Sequence, residues 1–371
     1  MRSPYQPCMS ARRVSSIAVS LLLALPAGSH AGQDPLSTEV QAVFQRSASA
    51  VVKIEAEDDD GPLSGTGFFV DPNGTIFTNY SVGGESRDFV ISYGGVRYLA
   101  TRVAADARSG LAILKLGSPN VAADPRSSFT LLKLGPPSLL PPEEAPADPH
   151  ANVTEKTSFL PMGKAADLAV ATLVMTIGYP LNLPVTPNVG CVGGFGISDG
   201  NRYFAVTHIR ANVPAQRGEG GAPLLNMNGE VVGVLESSLD GGAGCFALPI
   251  EAAEKVQSDV VSFGGIRPGW LGIRFDQSDP SGPITVQGCV DNSPAAKAGI
   301  QAGDIIQKVG ARQISSLEDL LDAAFYLTVG DQVPLTVMRG DKPVEVNVVP
   351  ESNPTTSQPG AVLNFTLKIG P

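Results

Sequence analysis

The sequence predicts a mainly β protein, with short strands closed into barrels or sandwiches, followed by a smaller unit that mixes strands with two helices. Three observations predict it. Apolar, β-branched runs only a few residues long recur from Ala50 to about residue 250, separated by turns such as Pro72-Asn73-Gly74. The 371 residues include 41 Gly and 31 Pro with no collagen period, and 43% are hydrophobic, enough apolar material for two or three cores. Helical spacing is confined to the region beyond residue 250.

The elements follow in order. Met1–Arg13 is basic, Val14–Pro26 is apolar, and Ser29-His30-Ala31 puts small residues at −3 and −1 of a cleavage site. Residues 1–31 therefore read as a signal peptide, and no later run is long and apolar enough to span a membrane. Strands are expected at Val51–Ile54, Gly67–Val70, Thr75–Thr78, Phe89–Ser92, Tyr98–Val103 and Leu111–Leu116. Residues 119–158, with Pro136-Pro137, Pro141-Pro142 and Glu143-Glu144, form a Pro- and acid-rich insertion. A second strand set follows at Ala169–Ile177, Cys191–Gly196, Tyr203–His208, Val231–Leu235 and Phe246–Pro249, then a helix over Glu251–Ser262.

After Gly264-Gly265 and Pro268, the smaller unit carries strands at Leu271–Phe275, Ile284–Val290, Asp304–Val309, Val333–Met338 and Val344–Val348. Its helices are Ser293–Gly299 and one opened by the capping-box pattern Ser316-Leu317-Glu318-Asp319. The tail 351–371 alternates Leu363, Phe365, Leu367 and Ile369 with polar residues, as an edge strand does. The domain plan is a barrel region at 45–262 and a second domain at 266–350.

Composition excludes some partners. With 26 basic and 36 acidic residues the net charge is −10, and a leader holding Arg2, Arg12 and Arg13 makes the remainder more acidic. Nucleic acid is not an expected partner. Cys191, Cys245 and Cys289 remain beyond the leader, and no Cys/His cluster with metal-ligand spacing exists, so no metal or other cofactor is expected. Whether Cys191 and Cys245 pair stays open at this point.

Three stretches resemble the HtrA/DegP group of secreted proteases. They are Gly65-Thr66-Gly67-Phe68-Phe69-Val70-Asp71-Pro72-Asn73-Gly74 through Thr78-Asn79-Tyr80-Ser81-Val82, then Ser109-Gly110-Leu111-Ala112-Ile113-Leu114-Lys115, then Gly218-Glu219-Gly220-Gly221-Ala222-Pro223-Leu224. Ile177-Gly178-Tyr179-Pro180 and Phe246-Ala247-Leu248-Pro249-Ile250 sit where that group has similar segments. The resemblance covers residues 45–350 and implies a chymotrypsin-like double β-barrel followed by a PDZ domain, in the periplasm or secreted. At the family's triad positions this sequence has Ser81 for His, Gly110 for Asp and Gly220 for the nucleophilic Ser.

Serine-protease chemistry needs an imidazole, an orienting carboxylate and a hydroxyl on the Gly-rich turn. Beyond the leader the only histidines are His150, in the Pro-rich insertion, and His208. The expectation is therefore a protein that is not an enzyme, with no catalytic residue and with Gly218, Glu219 and Gly220 as a vestigial oxyanion loop. Ser81 reads as an ordinary turn residue.

The C-terminal unit keeps its family features. Gly269-Trp270-Leu271-Gly272-Ile273 resembles the carboxylate-binding loop and first groove strand of HtrA-type PDZ domains, and Ser293–Ile300 with Ala302–Ile306 resembles their signature turn and strand. The resemblance implies capture of peptide or protein C-termini as an added strand. Leu317, Leu320, Leu321 and Ala324 of the Ser316 helix are candidate groove residues. The expected role is adaptor, scaffold or regulator of an active HtrA-like relative, with a homotrimer implied by the resemblance. The alternatives are an active HtrA-type endopeptidase in envelope protein quality control, and a structural envelope protein.

Overall fold

A computed structural model describes residues 34–119, 157–198, 203–275 and 282–353. The expected signal peptide, almost all of the Pro-rich insertion and the alternating tail lie outside these residues.

The chain enters on a helix that the sequence reading missed, α1 (Pro35–Ser47). The Asp34 carboxylate accepts from Leu36 N and Pro35 fills the first turn, a strong start signal. Val40, Val43 and Phe44, spaced three and four apart, turn one face of α1 to the core.

Six strands follow: β1 (Val51–Asp58), β2 (Gly61–Phe69), β3 (Thr75–Asn79), β4 (Arg87–Tyr93), β5 (Val96–Asp106) and β6 (Leu111–Pro119). One helical turn, α2 (Tyr80–Gly83), follows β3. The strands close into a barrel in the order β1-β2-β3-β6-β5-β4. A second barrel contains β7 (Leu173–Gly178), β8 (Thr186–Ser198), β9 (Tyr203–Ala211), β10 (Pro223–Asn226), β11 (Val231–Leu239) and β12 (Gly244–Pro249), ordered β10-β11-β12-β9-β8-β7. Strand β10 was not anticipated, because the Gly-rich turn before it leaves only four residues to carry a pattern. All barrel pairings are antiparallel, so alternate residues point inward. Val52, Ile54, Phe69, Ile76 and Ile91 fill the first barrel. Val174, Val192, Ile209, Leu224 and Val232 fill the second.

Helix α3 (Ile250–Phe263) matches the expected helix to within a residue and ends at Gly264 in the left-handed conformation, whose N–H donates to Val260 O at 2.9 Å. The C-terminal domain contains β13 (Gly269–Trp270), β14 (Ile273–Phe275), β15 (Val286–Cys289), α4 (Pro294–Lys297), β16 (Ile305–Val309), β17 (Arg312–Gln313), α5 (Leu317–Phe325), β18 (Val333–Arg339), β19 (Lys342–Val348) and β20 (Glu351–Ser352). The expected strand at Leu271–Phe275 is interrupted by Gly272, at φ +73°, so that β13 pairs with β20 while β14 pairs with β15. Helix α5 opens with the expected capping box between Ser316 and Asp319.

This domain is seated on the second barrel. Phe325, at the end of α5, is buried in the same cluster as Val43, Phe68, Val206 and Leu248. The Asp322 carboxylate accepts from Thr207 N of β9 at 2.8 Å and pairs with Arg312. Arg312 in turn lies 3.8 Å over the Tyr326 ring.

A fork-like ion pair closes the turn before β16. Arg339 Nε and Nη2 donate to the two oxygens of Asp304, each at 2.8 Å, and Gln301 N donates at 2.9 Å. Arg339 holds the Asp304 carboxyl below the usual carboxylate range, helped by that backbone bond. A carboxylate with a depressed folded pKa adds stability above the unfolded value and loses it as pH falls through the folded one. The C-terminal domain should therefore lose stability in acid below the ordinary Asp range. Arg339→Met should destabilise the domain at neutral pH and flatten that acid dependence, as read by urea unfolding at several pH values.

Candidate functional site: the cleft between the barrels

The two barrels meet at a turn pinned from both sides. Residues 216–222 lie in the link between β9 and β10, and three of their carbonyls accept from donors elsewhere in the protein. Arg217 O accepts from Leu181 N at 2.7 Å, Gly218 O from Thr66 Oγ1 at 2.7 Å, and Gly220 O from Thr66 N at 2.9 Å. Thr66 Oγ1 also accepts from Tyr179 N, and Thr66 O accepts from Thr78 Oγ1 at 2.8 Å. Gly221 sits so close that a Cβ there would lie 2.2 Å from Thr78 Oγ1 and 2.3 Å from Thr66 O, at φ +84°. No other residue fits that position.

Glu219 fixes the turn from inside. It is fully buried, with Oε2 accepting from Gln216 N at 2.7 Å and Oε1 from Asn188 Nδ2 at 2.8 Å. Burial pushes its carboxyl above the usual carboxylate range, against the pull of those two donors. The same burial, with Glu219 nearby, pushes the Cys245 thiol up to about 12. Cys245 is thus an inert core thiol rather than a nucleophile. Cys191, Cys245 and Cys289 are all free, which settles the pairing left open above.

Across the cleft, Asn79 caps α2 by accepting from Val82 N, and this places Ser81 in the first helical turn. Asn79 Nδ2 donates to Ser81 Oγ at 2.7 Å and to Glu236 O at 3.1 Å. Gly110, in the turn before β6, donates its N–H to Asp106 O at 2.9 Å and accepts from Tyr80 N at 2.6 Å. A cavity of about 270 Å³ lies between these groups, lined among others by Ser64, Ser81, Arg217, Gly218, Gly220 and Glu236. The structure brings Ser81, Gly218 and Gly220 to one cleft. Gly110 lies against Glu236, and Glu219 faces the interior.

Sequence reasoning missed Thr66, Asn79 and Glu236. Thr66 and Asn79 stood inside the first motif, but their cleft partners Gly218 and Glu236 lie more than 150 residues away. Glu236 carried no local signal.

In the C-terminal domain, Leu271, Ile273, Leu317, Leu320 and Ala324 gather on one core cluster beside β14. Gly272 O accepts from Val290 N and Leu271 O from Ala295 N, which fixes the loop before β14. A Cβ at Gly272 would lie 2.3 Å from Ser293 Cβ. Gly269 and Trp270 depart from the expected loop role: they form β13 against Glu351 and Ser352, with Gly269 against Leu327 and Pro350. Leu321 is half-buried outside that cluster. Among the described residues, β14 pairs with β15 alone, and no strand covers its other edge.

Two family descriptions match the chain: "Trypsin-like peptidase domain" over residues 65–234 and "PDZ domain" over residues 269–349. The chain is 27% identical over 337 residues to a probable periplasmic serine endoprotease, DegP-like, of Bartonella henselae, covering 87% of this chain and 60% of that protein. It is 26% identical to the Chlamydia trachomatis protein of the same name, covering 83% and 58%. The chain thus spans about 60% of the length of these relatives. Among solved structures, the HtrA-type protease AlgW with tripeptide superposes with a TM-score of 0.62 at 17% identity, covering 85% of this chain and 97% of that one. A serine endoprotease from Yersinia pestis gives 0.55 at 22%, covering 85% and 98%.

The fold expectation stands, a double barrel with a C-terminal PDZ domain, and so does the periplasmic location. The expectation that the chain is not an enzyme is corrected. Its relatives are named serine endoproteases, which indicates an enzyme.

Position 220 tests how tightly the cleft is built. A Cβ there would lie 2.7 Å from Asn79 Nδ2. Gly220→Ser should push that amide off Ser81 and Glu236 and cost about 1–3 kcal/mol, read by urea unfolding. Unchanged stability would show that the amide is not held in place.

Proposed function

Proceeding from an HtrA/DegP-like chain, a trypsin-type double barrel with a PDZ domain, we propose that it is a periplasmic serine endopeptidase that takes up polypeptides by their C-termini. The observation that carries the proposal is the edge of β14 that no strand of the described residues covers. Ile273 of β14 and Leu320 and Ala324 of α5 pack against the same apolar cluster, and β14 follows a loop folded tightly at Gly272. An extended peptide adds to such an edge by main-chain hydrogen bonds, its carboxylate meets the loop, and its last apolar side chain enters the groove.

The cleft supplies the second half. Its turn faces a hydroxyl across about 270 Å³ of open space. Position 220 offers no oxygen, so this reading assigns attack to Ser81, whose Oγ the Asn79 amide holds at 2.7 Å. The support is the names of the relatives together with this juxtaposition.

Two measurements test the two halves separately. A peptide with an apolar C-terminal residue should bind the full chain, and its C-terminally amidated form should bind at least about tenfold more weakly, a difference of about 1.4 kcal/mol. Equal binding would rule out C-terminal recognition. Unfolded casein should be cleaved and a fluorophosphonate should label one serine. Ser81→Ala should lower both by about 10²-fold or more, and a wild-type chain that neither cleaves nor labels removes the peptidase reading while leaving peptide capture to stand.

A further inference from the structure

One buried imidazole–carboxylate contact among the described residues is not used by the reaction as assigned so far. His208 lies in β9 and is fully buried, with the Phe204 ring stacked on it at 3.9 Å between centroids and 22° between planes. Its Nδ1 is 2.9 Å from Val206 O. A carbonyl oxygen only accepts, so Nδ1 carries a hydrogen. Its Nε2 is 2.5 Å from Glu236 Oε2, a separation that two lone pairs would not hold without a hydrogen between them.

The place of this pair matters as much as its proton. Glu236 belongs to β11 of the second barrel, yet its carboxyl fills the space beside Gly110 of the first. A Cβ at 110 would lie 2.5 Å from Glu236 Cδ and 2.8 Å from Oε2. The Glu236 side chain is 11% exposed and lines the cleft, and its backbone oxygen receives the Asn79 amide that also holds Ser81.

We infer that Glu236 and His208 form the proton-holding pair of the cleft, Glu236 as the group that meets substrate and His208 as the residue that positions it and shares its proton. The inference rests on the endopeptidase reading above. In the first half, Ser81 Oγ bonds to the acyl carbon as the peptide C–N bond breaks; the departing nitrogen takes the shared proton and the Ser81 hydroxyl proton replaces it in the pair. In the second half, water gives its oxygen and one hydrogen to the acyl carbon as the bond to Ser81 breaks, and its other hydrogen restores the Ser81 hydroxyl.

The test uses the full chain with ¹⁵N-labelled histidine, and unfolded casein as substrate. The wild-type spectrum should show a strongly downfield proton coupled to His208 Nε2, and Glu236→Gln should abolish it. The same variant should lower kcat by about 10²-fold or more while KM stays within about twofold. A wild type without that resonance, or a Glu236→Gln variant that cleaves casein at the wild-type rate, overturns the assignment alone. A wild type that shows the resonance but neither cleaves casein nor labels overturns the peptidase reading, and the role given to the pair falls with it.

Discussion

The two barrels are joined through Thr66. Its N–H and hydroxyl hold two carbonyls of the 216–222 turn, its hydroxyl also receives Tyr179 N, and its own carbonyl receives Thr78 Oγ1. One residue thus fixes a loop of the second barrel against two strands of the first. Buried donors and acceptors left unmet cost about 1–3 kcal/mol each, so the turn has little freedom to adopt another shape. The positions of Gly218 and Gly220 follow from that one constraint.

Much of this was legible in the sequence, for identifiable reasons. Strand periodicity and Gly-containing turns placed eleven barrel strands because antiparallel barrels alternate inward and outward residues. The capping box at Ser316 and the glycine stop after Phe263 are local signals, and both held. Helix α1 was overlooked beside the leader despite its Asp34-Pro35 start, and β10 is too short to show a pattern. The cleft was legible only in its loops. Its internal bonding joins Thr66 to Gly218 and Asn79 to Glu236, partners more than 150 residues apart, which spacing along the chain does not reveal.

The PDZ domain is joined to the barrels by its groove helix. One face of α5 contributes Leu317, Leu320 and Ala324 to the apolar cluster beside β14, while Phe325 enters the barrel core and Asp322 holds the main chain of β9. The residue after Thr207 is His208, so α5 is bonded to the main chain next to the imidazole that meets Glu236.

The crowding of Gly110 by Glu236 has an evolutionary reading. Two positions 126 residues apart in sequence compete for one volume, so neither can be judged by itself. A chain that gains a side chain at 110 must shorten or redirect the one at 236, and a chain with a long acid at 236 is confined to glycine at 110. In related sequences the two sites should therefore covary as a mutually exclusive pair, and the order in which substitutions can accumulate is constrained by steric room.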